Sequence, residues 1–377
     1  MRAHHPSAPF CPGRRPRGTN GAPAGTFCPC GGGVAGSSVD ARNEEDIVSA
    51  IELGDREHRV LVAAGSAAPS IHNTQPWRFV ATPRAIEVHA DPARGLGVID
   101  PSARALVISC GAAVLNLRVA LAFLGRRARV RWLPSPAVPT HLATVEVVGA
   151  RSTRAMDREL YGALRRRSSS RQPMTSRPVP AGLMSQLREA VRREGAELHV
   201  LSGEDADTLV TIAHQADASQ RGDHAYREEL GRWTTADPAR RDGVPASAFG
   251  AAPGPEQAPQ RDFTQGGVAV DRQEEAFEAA PMLAVVTTSA DTVGDWLRAG
   301  MALQHLLLVA TTHWLRAGFL TQPLELPAFR DQVRGLIDPR RMPQVVLRVG
   351  YGPTPPRSPR RPLDEVLAPA KPSQPMP

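Results

Sequence analysis

Ala68-Pro69-Ser70-Ile71-His72-Asn73-Thr74-Gln75-Pro76-Trp77-Arg78-Phe79 is the stretch from which the rest of the chain is read. Its two prolines and small polar residues mark a turn, and an alternating strand begins at Trp77. A run with helical spacing leads into it. A turn of this composition at the end of a sheet can hold a flat ligand with polar edges. Immediately downstream, residues 79–81 and 86–89 predict a hairpin around Thr82-Pro83-Arg84.

Working outward, Asp100 caps a predicted helix whose apolar side includes Leu106, Val107, Val114, Leu117 and Leu121, with Gly125 at its end. Strands are expected at 130–133 and 143–148. Further along, helical spacing is read at 152–167, 205–218, 224–233 and 291–317, and strands at 198–201, 282–288 and 344–351. The helices near 111 and 300 form an internal repeat. Gly111, Ala113, Val114 and Leu117 recur in spacing as Gly300, Ala302, Leu303 and Leu306, each helix being followed by a glycine, Gly125 or Gly318. Matched small residues let two helices approach closely across a pseudo-twofold axis, although two Ala/Leu-rich helices also look alike by chance.

Residues 1–40 are rich in Pro, Gly, Ser and Arg without apolar periodicity, and read as a disordered extension. Gly31, Gly33 and Gly36 match a dinucleotide-binding spacing, but no strand precedes them, so the match carries nothing. From 236 to about 267 the sequence again loses periodicity; a loop this long is either functional or disordered. A basic, proline-rich tail closes the chain.

The length, 377 residues, admits one large core or two ordinary ones, and 41% hydrophobic with 22% charged residues is ordinary for a soluble protein. No apolar run is read as spanning a bilayer, the best being 303–310, and no secretory signal is evident, so a cytoplasmic protein is expected. The net charge of +7 admits nucleic acid, anionic lipid or a phosphate-bearing cofactor as partner. Three tyrosines in all, and no aromatics among the basic clusters, argue against stacking on single strands. The four cysteines, Cys11, Cys28, Cys30 and Cys110, make neither a disulfide framework nor a zinc site, and His305 and His313 are badly phased to share a metal on one helix. No metal ligands and no nucleophile elbow, metalloprotease or phosphate-loop motif are assigned.

The stretch 68–79 resembles the flavin-contacting segment of the FMN-dependent nitroreductase family, and the chain is most similar to its Acg-like branch, in which two units are fused. The resemblance covers roughly 45–365. It implies an α+β fold with mixed, mainly antiparallel sheets flanked by helices. It also implies two tandem units, 41–150 and 151–366, forming a single-chain pseudo-dimer, with 367–377 as a tail. By the same resemblance Ser70 and Asn73 bond the edge of the isoalloxazine while Pro69 and Ile71 line it. The family's Arg-x-Ser-x-Arg pattern falls on Arg167, Ser169 and Arg171, which would contact the FMN phosphate and ribityl chain; read alone, 165–171 is equally a solvated charge run. Arg360 and Arg361 sit where the family's C-terminal basic residues close on the same phosphate. The first unit has the edge element without the arginine cluster, and the second has the reverse. One FMN per chain, between the halves, is therefore expected. The implied chemistry is hydride transfer from NAD(P)H to the flavin and on to a nitro or quinone-type acceptor, with no catalytic acid or base assigned. The alternative is an FMN-sequestering protein in which 236–267 forms a lid.

Overall fold

Helix α1 (Asp55–Ser66) buries Leu61 and Val62 and delivers the chain to the turn at Pro69. Strands β1 (Trp77–Thr82) and β2 (Ala85–Ala90) then form the hairpin, with Trp77 and Phe79 wholly buried. Each such aromatic contributes roughly 1.5–3 kcal/mol through the area it removes from water. Helix α2 (Arg104–Phe123) starts where the Asp100 carboxylate accepts the backbone N–H groups of Ala105 and Leu106 at 3.0 and 2.9 Å, satisfying two donors the helix cannot. Strands β3 (Arg126–Trp132) and β4 (His141–Ala150) complete the first half. The computed structural model describes residues 52–253, 260–278 and 282–368. The expected 1–40 extension, Cys11, Cys28, Cys30 and the last nine residues lie outside them.

The second half begins with α3 (Ala155–Arg166) and α4 (Ala181–Arg193), the latter absent from the sequence reading. Strand β5 (Glu197–Leu201) is followed by α5 (Glu204–Gly222) and α6 (His224–Arg232). After β6 (Met282–Thr288), helix α7 (Val293–Thr312) is opened by a reciprocal cap, Thr292 Oγ1 accepting from Asp295 N while the Asp295 carboxylate accepts from Thr292 N. Strand β7 (Leu315–Phe319), helix α8 (Pro327–Leu336), strand β8 (Met342–Tyr351) and the short β9 (Leu367–Ala368) follow.

The strands form two principal sheets, in the orders β9-β1-β2-β4-β3 and β7-β8-β6-β5. All their pairings are antiparallel except β1 with β9. Both halves thus repeat one plan: a helix, a strand pair, a 20-residue helix, and a second strand pair. Where β1 and β2 are joined by a tight turn, β5 and β6 are separated by α5, α6 and the irregular segment. That insertion packs Leu209 and Ile212 on the far face of the second sheet, against Leu283, Val285 and Val346. The second sheet is therefore covered on both faces and its central strands read as continuous apolar runs. The outer face of the first sheet instead carries charged residues, among them Arg129, Arg131 and Glu146.

Helices α2 and α7 cross at Gly111 and Gly300. A β-carbon at Gly111 would strike the carbonyl oxygen of Leu297, and one at Gly300 that of Ile108, each closer than 3.0 Å. Each struck residue lies three positions before the opposing glycine, so the contact obeys an approximate twofold. Within it Gln304 Nε2 donates to Asn116 Oδ1 at 2.7 Å. Two expectations need correction here. Helix α7 stops at Thr312, not 317, because Trp314 is left-handed (φ 63°), and Gly318 lies inside β7 instead of ending a helix. Helix α2 is long and apolar enough to cross a membrane, unlike any run singled out from sequence, but most of it is buried within the protein.

Candidate functional site

Three of the five residues 71–75 have positive φ without being glycine: His72 at 44°, Asn73 at 56° and Gln75 at 50°. Each such conformation costs on the order of 1–3 kcal/mol and persists only where surroundings enforce it. The enforcement is visible. Ser70 Oγ accepts from Gln75 N at 2.9 Å. Arg360 donates to the carbonyls of Ser66 (2.8 Å) and Ala68 (3.0 Å) and to Asn73 Oδ1 (2.9 Å). Asn73 Nδ2 donates to the carbonyls of Gly243 (2.9 Å) and Pro359 (3.1 Å), and Gln75 Nε2 to that of Arg241 (2.9 Å). The loop is thus tied to both the insertion and the C-terminal segment.

Facing this loop, residues 167–171 run extended beside β7, with Ser170 N donating to Ala317 O at 2.8 Å. Alternation along an extended chain turns Arg167, Ser169 and Arg171 toward the same side. Together with Ser70, Asn73, Ser168, Arg357, Ser358 and Arg360 they line a polar pocket. Arg167 is buried, and among the described residues its guanidinium has no carboxylate partner and its Nε no hydrogen-bond partner. Burial, reinforced by Arg360 and Arg357, pulls its pKa down to about 9. A buried cation beside further cations, with no carboxylate paired to it among the described residues, suits an external anion.

Pro69, Ser70, Ser169 and Arg171 are shared with a second, largely apolar cavity of about 930 Å³ of empty space, its open mouth included. Its walls come from both halves: Ala105, Ile108 and Ser109 of α2 on one side, Leu303 of α7, Phe319 and Val345 on the other. Ile71 and His72 close one end. His72 is 6% exposed, both its ring nitrogens lack partners among the described residues, and burial, with Arg261 and Arg171 nearby, holds its pKa well below the ordinary imidazole value. The ring is therefore neutral and offers one donor and one acceptor. The insertion supplies Gln260, Arg261 and Phe263 as a further wall. Phe263 lies edge-on to His72 at 5.5 Å and under the Arg171 guanidinium at 4.7 Å, while Arg171 Nη1 donates to Ala248 O at 2.8 Å. Arg261 is latched to Glu325 by paired contacts of 2.6 and 2.8 Å, both side chains almost wholly buried.

Of the residues selected from sequence, Pro69, Ser70 and Ile71 line the apolar cavity, and Asn73, Arg167, Ser169, Arg171 and Arg360 the polar pocket. Two of these differ in role from the expectation: the amide of Asn73 and the guanidinium of Arg360 are spent on protein groups, so both brace the loop. Arg361 stands apart. It lines neither space; its backbone N–H donates to Gln75 Oε1 at 2.9 Å and its side chain pairs with Glu365 at 3.2 Å. Sequence reasoning did not select Arg104, Arg357, Arg261 or Phe263. Arg357 stood in the same basic cluster as Arg360; Arg261 and Phe263 lie in an aperiodic stretch that gives no signal. His305 on α7 and His313 just past its end are accounted for by ordinary contacts, His305 with Glu194 at 3.0 Å and His313 with Gln186 at 3.1 Å. Buried Cys110 is an inert thiol, its pKa raised by burial.

Comparison with known proteins adds the following. No family model matches the chain. A Mycobacterium tuberculosis protein provisionally named an NAD(P)H nitroreductase is 34% identical over 321 residues, covering 82% of this chain and 90% of the relative. The M. tuberculosis protein acg, provisionally named likewise, is 33% identical over 305 residues, covering 80% and 92%. Among solved structures, the FMN and NADPH-dependent nitroreductase NfnB of Sphigopyxis sp. strain HMH is similar over 55% of this chain and 97% of its own, at 20% identity and a TM-score of 0.35. A Desulfovibrio desulfuricans nitroreductase in complex with FMN matches 58% and 98%, at 17% identity and a TM-score of 0.32.

Proposed function

We propose that this chain, which belongs to the nitroreductase family and its Acg-like branch, is an FMN-binding oxidoreductase whose two tandem units form a single-chain pseudo-dimer. In this reading NAD(P)H is the hydride donor and a small nitro or quinone-type compound the acceptor. Support comes first from Arg167: a buried guanidinium without a carboxylate partner among the described residues, opening on a pocket that adjoins a largely apolar cavity. Bound FMN supplies reversible hydride chemistry that side chains alone cannot.

The residues present suit that group. Arg167, with Arg357 and the hydroxyls of Ser168, Ser169 and Ser358, would hold the phosphate, where charge-assisted contacts are strongest. Ser70, Ile71, His72 and Ser109 would lie along the ring system. Ile108, Leu303, Phe319 and Phe263 exclude water and lower the local dielectric. The neutral His72 can donate or accept one hydrogen bond without adding charge. Because both halves contribute walls, the chain supplies from one polypeptide what two subunits would otherwise share.

A second reading, flavin sequestration with little turnover, is favoured by one observation. The insertion forms a wall of the cavity and is fastened by the buried Arg261–Glu325 pair. An anaerobic visible spectrum separates the two. A flavin band bleached by NADH or NADPH supports the oxidoreductase. A band bleached by dithionite alone supports sequestration. Failure to hold flavin after incubation with FMN rejects both.

A further inference from the structure

We propose that Glu87, His89 and His141 form a binding site for a divalent transition ion, zinc in the first instance, on the outer face of the first sheet. Strand geometry brings the three side chains to one face. Glu87 and His89 are two residues apart on β2 and so project from one face. His141 on β4 is the cross-strand partner of His89, which puts its side chain on that face too. Sequence spacing could not disclose this, since the third member comes from the neighbouring strand.

The side chains converge. Glu87 Oε2 lies 2.9 Å from His89 Nε2 and 4.0 Å from His141 Nε2, and the three donor atoms all lie within 4.8 Å of one another. Ligands held at ~2.0–2.1 Å around a tetrahedral ion are about 3.3 Å apart, so the observed separations bracket what one ion requires. The two imidazoles are stacked, with centroids 4.3 Å apart and planes 21° from parallel. All three side chains are partly buried, at 11–30% exposure, which limits competition from solvent. Two imidazoles and a carboxylate are a recognised zinc donor set.

The surroundings are compatible. Arg131, the nearby cation, is already paired with Glu146. The Thr144 hydroxyl, 3.0 Å from His141 Nε2, makes one neutral hydrogen bond that the ion would displace. Bound there, the ion would clamp β2 to the start of β4.

The test uses the untagged full-length chain, titrated with Zn²⁺ alone by calorimetry and with Co²⁺ by visible absorption. Wild-type protein is expected to bind one more equivalent than His89→Ala and His141→Ala, or to bind it at least about a hundredfold more tightly, since losing a direct ligand exceeds the 10–100-fold cost of disturbing an outer partner. The cobalt spectrum of that equivalent should show ligand-field bands without thiolate charge transfer, which separates it from the cysteines at 11, 28 and 30. Glu87→Gln, which preserves shape, guards against a folding defect and should weaken binding similarly. Equal stoichiometry and affinity in wild type and variants would overturn the site, as would wild-type binding seen only with thiolate character.

Discussion

Replacing Arg167 by Met should move two properties in opposite directions. In the ligand-free protein the guanidinium is buried without a carboxylate partner among the described residues, and its pKa is pulled down to about 9. At ~1.4 kcal/mol per tenfold change in proton affinity, that lowering corresponds to a charge-burial cost of at most roughly 4–5 kcal/mol. Arg167→Met keeps the volume and removes the charge, so the ligand-free variant should be more stable by about 2–4 kcal/mol. The sign follows from linkage: below pH 9 the folded chain bears the full cost, and as pH rises through 9 the cost is relieved, so the advantage of the variant should fade there. In the FMN-bound state the same change removes charge-assisted hydrogen bonds worth ~1.5–3 kcal/mol, or roughly 10- to 150-fold in affinity. Urea unfolding of flavin-free protein and fluorescence titration with FMN measure the two terms separately. A ligand-free variant less stable than the parent would mean that the guanidinium is satisfied by the protein. Unchanged FMN affinity would place the phosphate elsewhere.

Other consequences are as direct. Gly300→Ala and Gly111→Ala gain ~1 kcal/mol of helix propensity but overpack the α2–α7 crossing by ~1–3 kcal/mol, so both should lower the urea midpoint, whereas Gly162→Ala, with open space around it on α3, should raise it. Arg360→Ala strips the carbonyls of Ser66 and Ala68 and the Asn73 amide of a shared donor, and should cost ~3 kcal/mol and hasten proteolysis within 69–75. Arg361→Ala should cost under ~1 kcal/mol, because its partner Glu365 is half exposed. Glu325→Gln leaves Arg261 buried without its anion, a loss of ~3–5 kcal/mol at the latch; faster exchange of bound FMN in stopped flow is expected.

What could be read from sequence divides along a physical line. The β1–β2 hairpin, the capped start of α2 and the paired glycines of the long helices were legible because local periodicity, turn chemistry and packing all pointed the same way. The arginine–serine pattern at 167–171 was legible because extended backbone converts alternation into a common face. Asn73 was placed in the site but not in its bracing role, since its partners Gly243, Pro359 and Arg360 come from distant segments. Arg361 differs from Arg360 only in which way an extended chain turns it. The wall built by Gln260, Arg261 and Phe263 was illegible, because an aperiodic insertion is positioned by tertiary contacts alone. The end of α7 was missed because Leu315 and Ala317 continue a helical spacing that the left-handed Trp314 interrupts.

The tie between Asn73 and Arg360 spans 287 residues of sequence. At roughly 5–20 residues per second, synthesis of that interval takes about 15–60 s. Throughout that time the turn after Pro69 has been made but has no guanidinium to hold its left-handed residues in place. On a ribosome, then, strands β1 to β4 can pair early, while the loop proposed to receive the ligand waits for chain made about 15–60 s later. In the proposed reading cofactor loading is a late event of biogenesis, and termination between Tyr351 and Arg360 leaves a chain that carries strands β1–β8 and both long helices but has an unset loop.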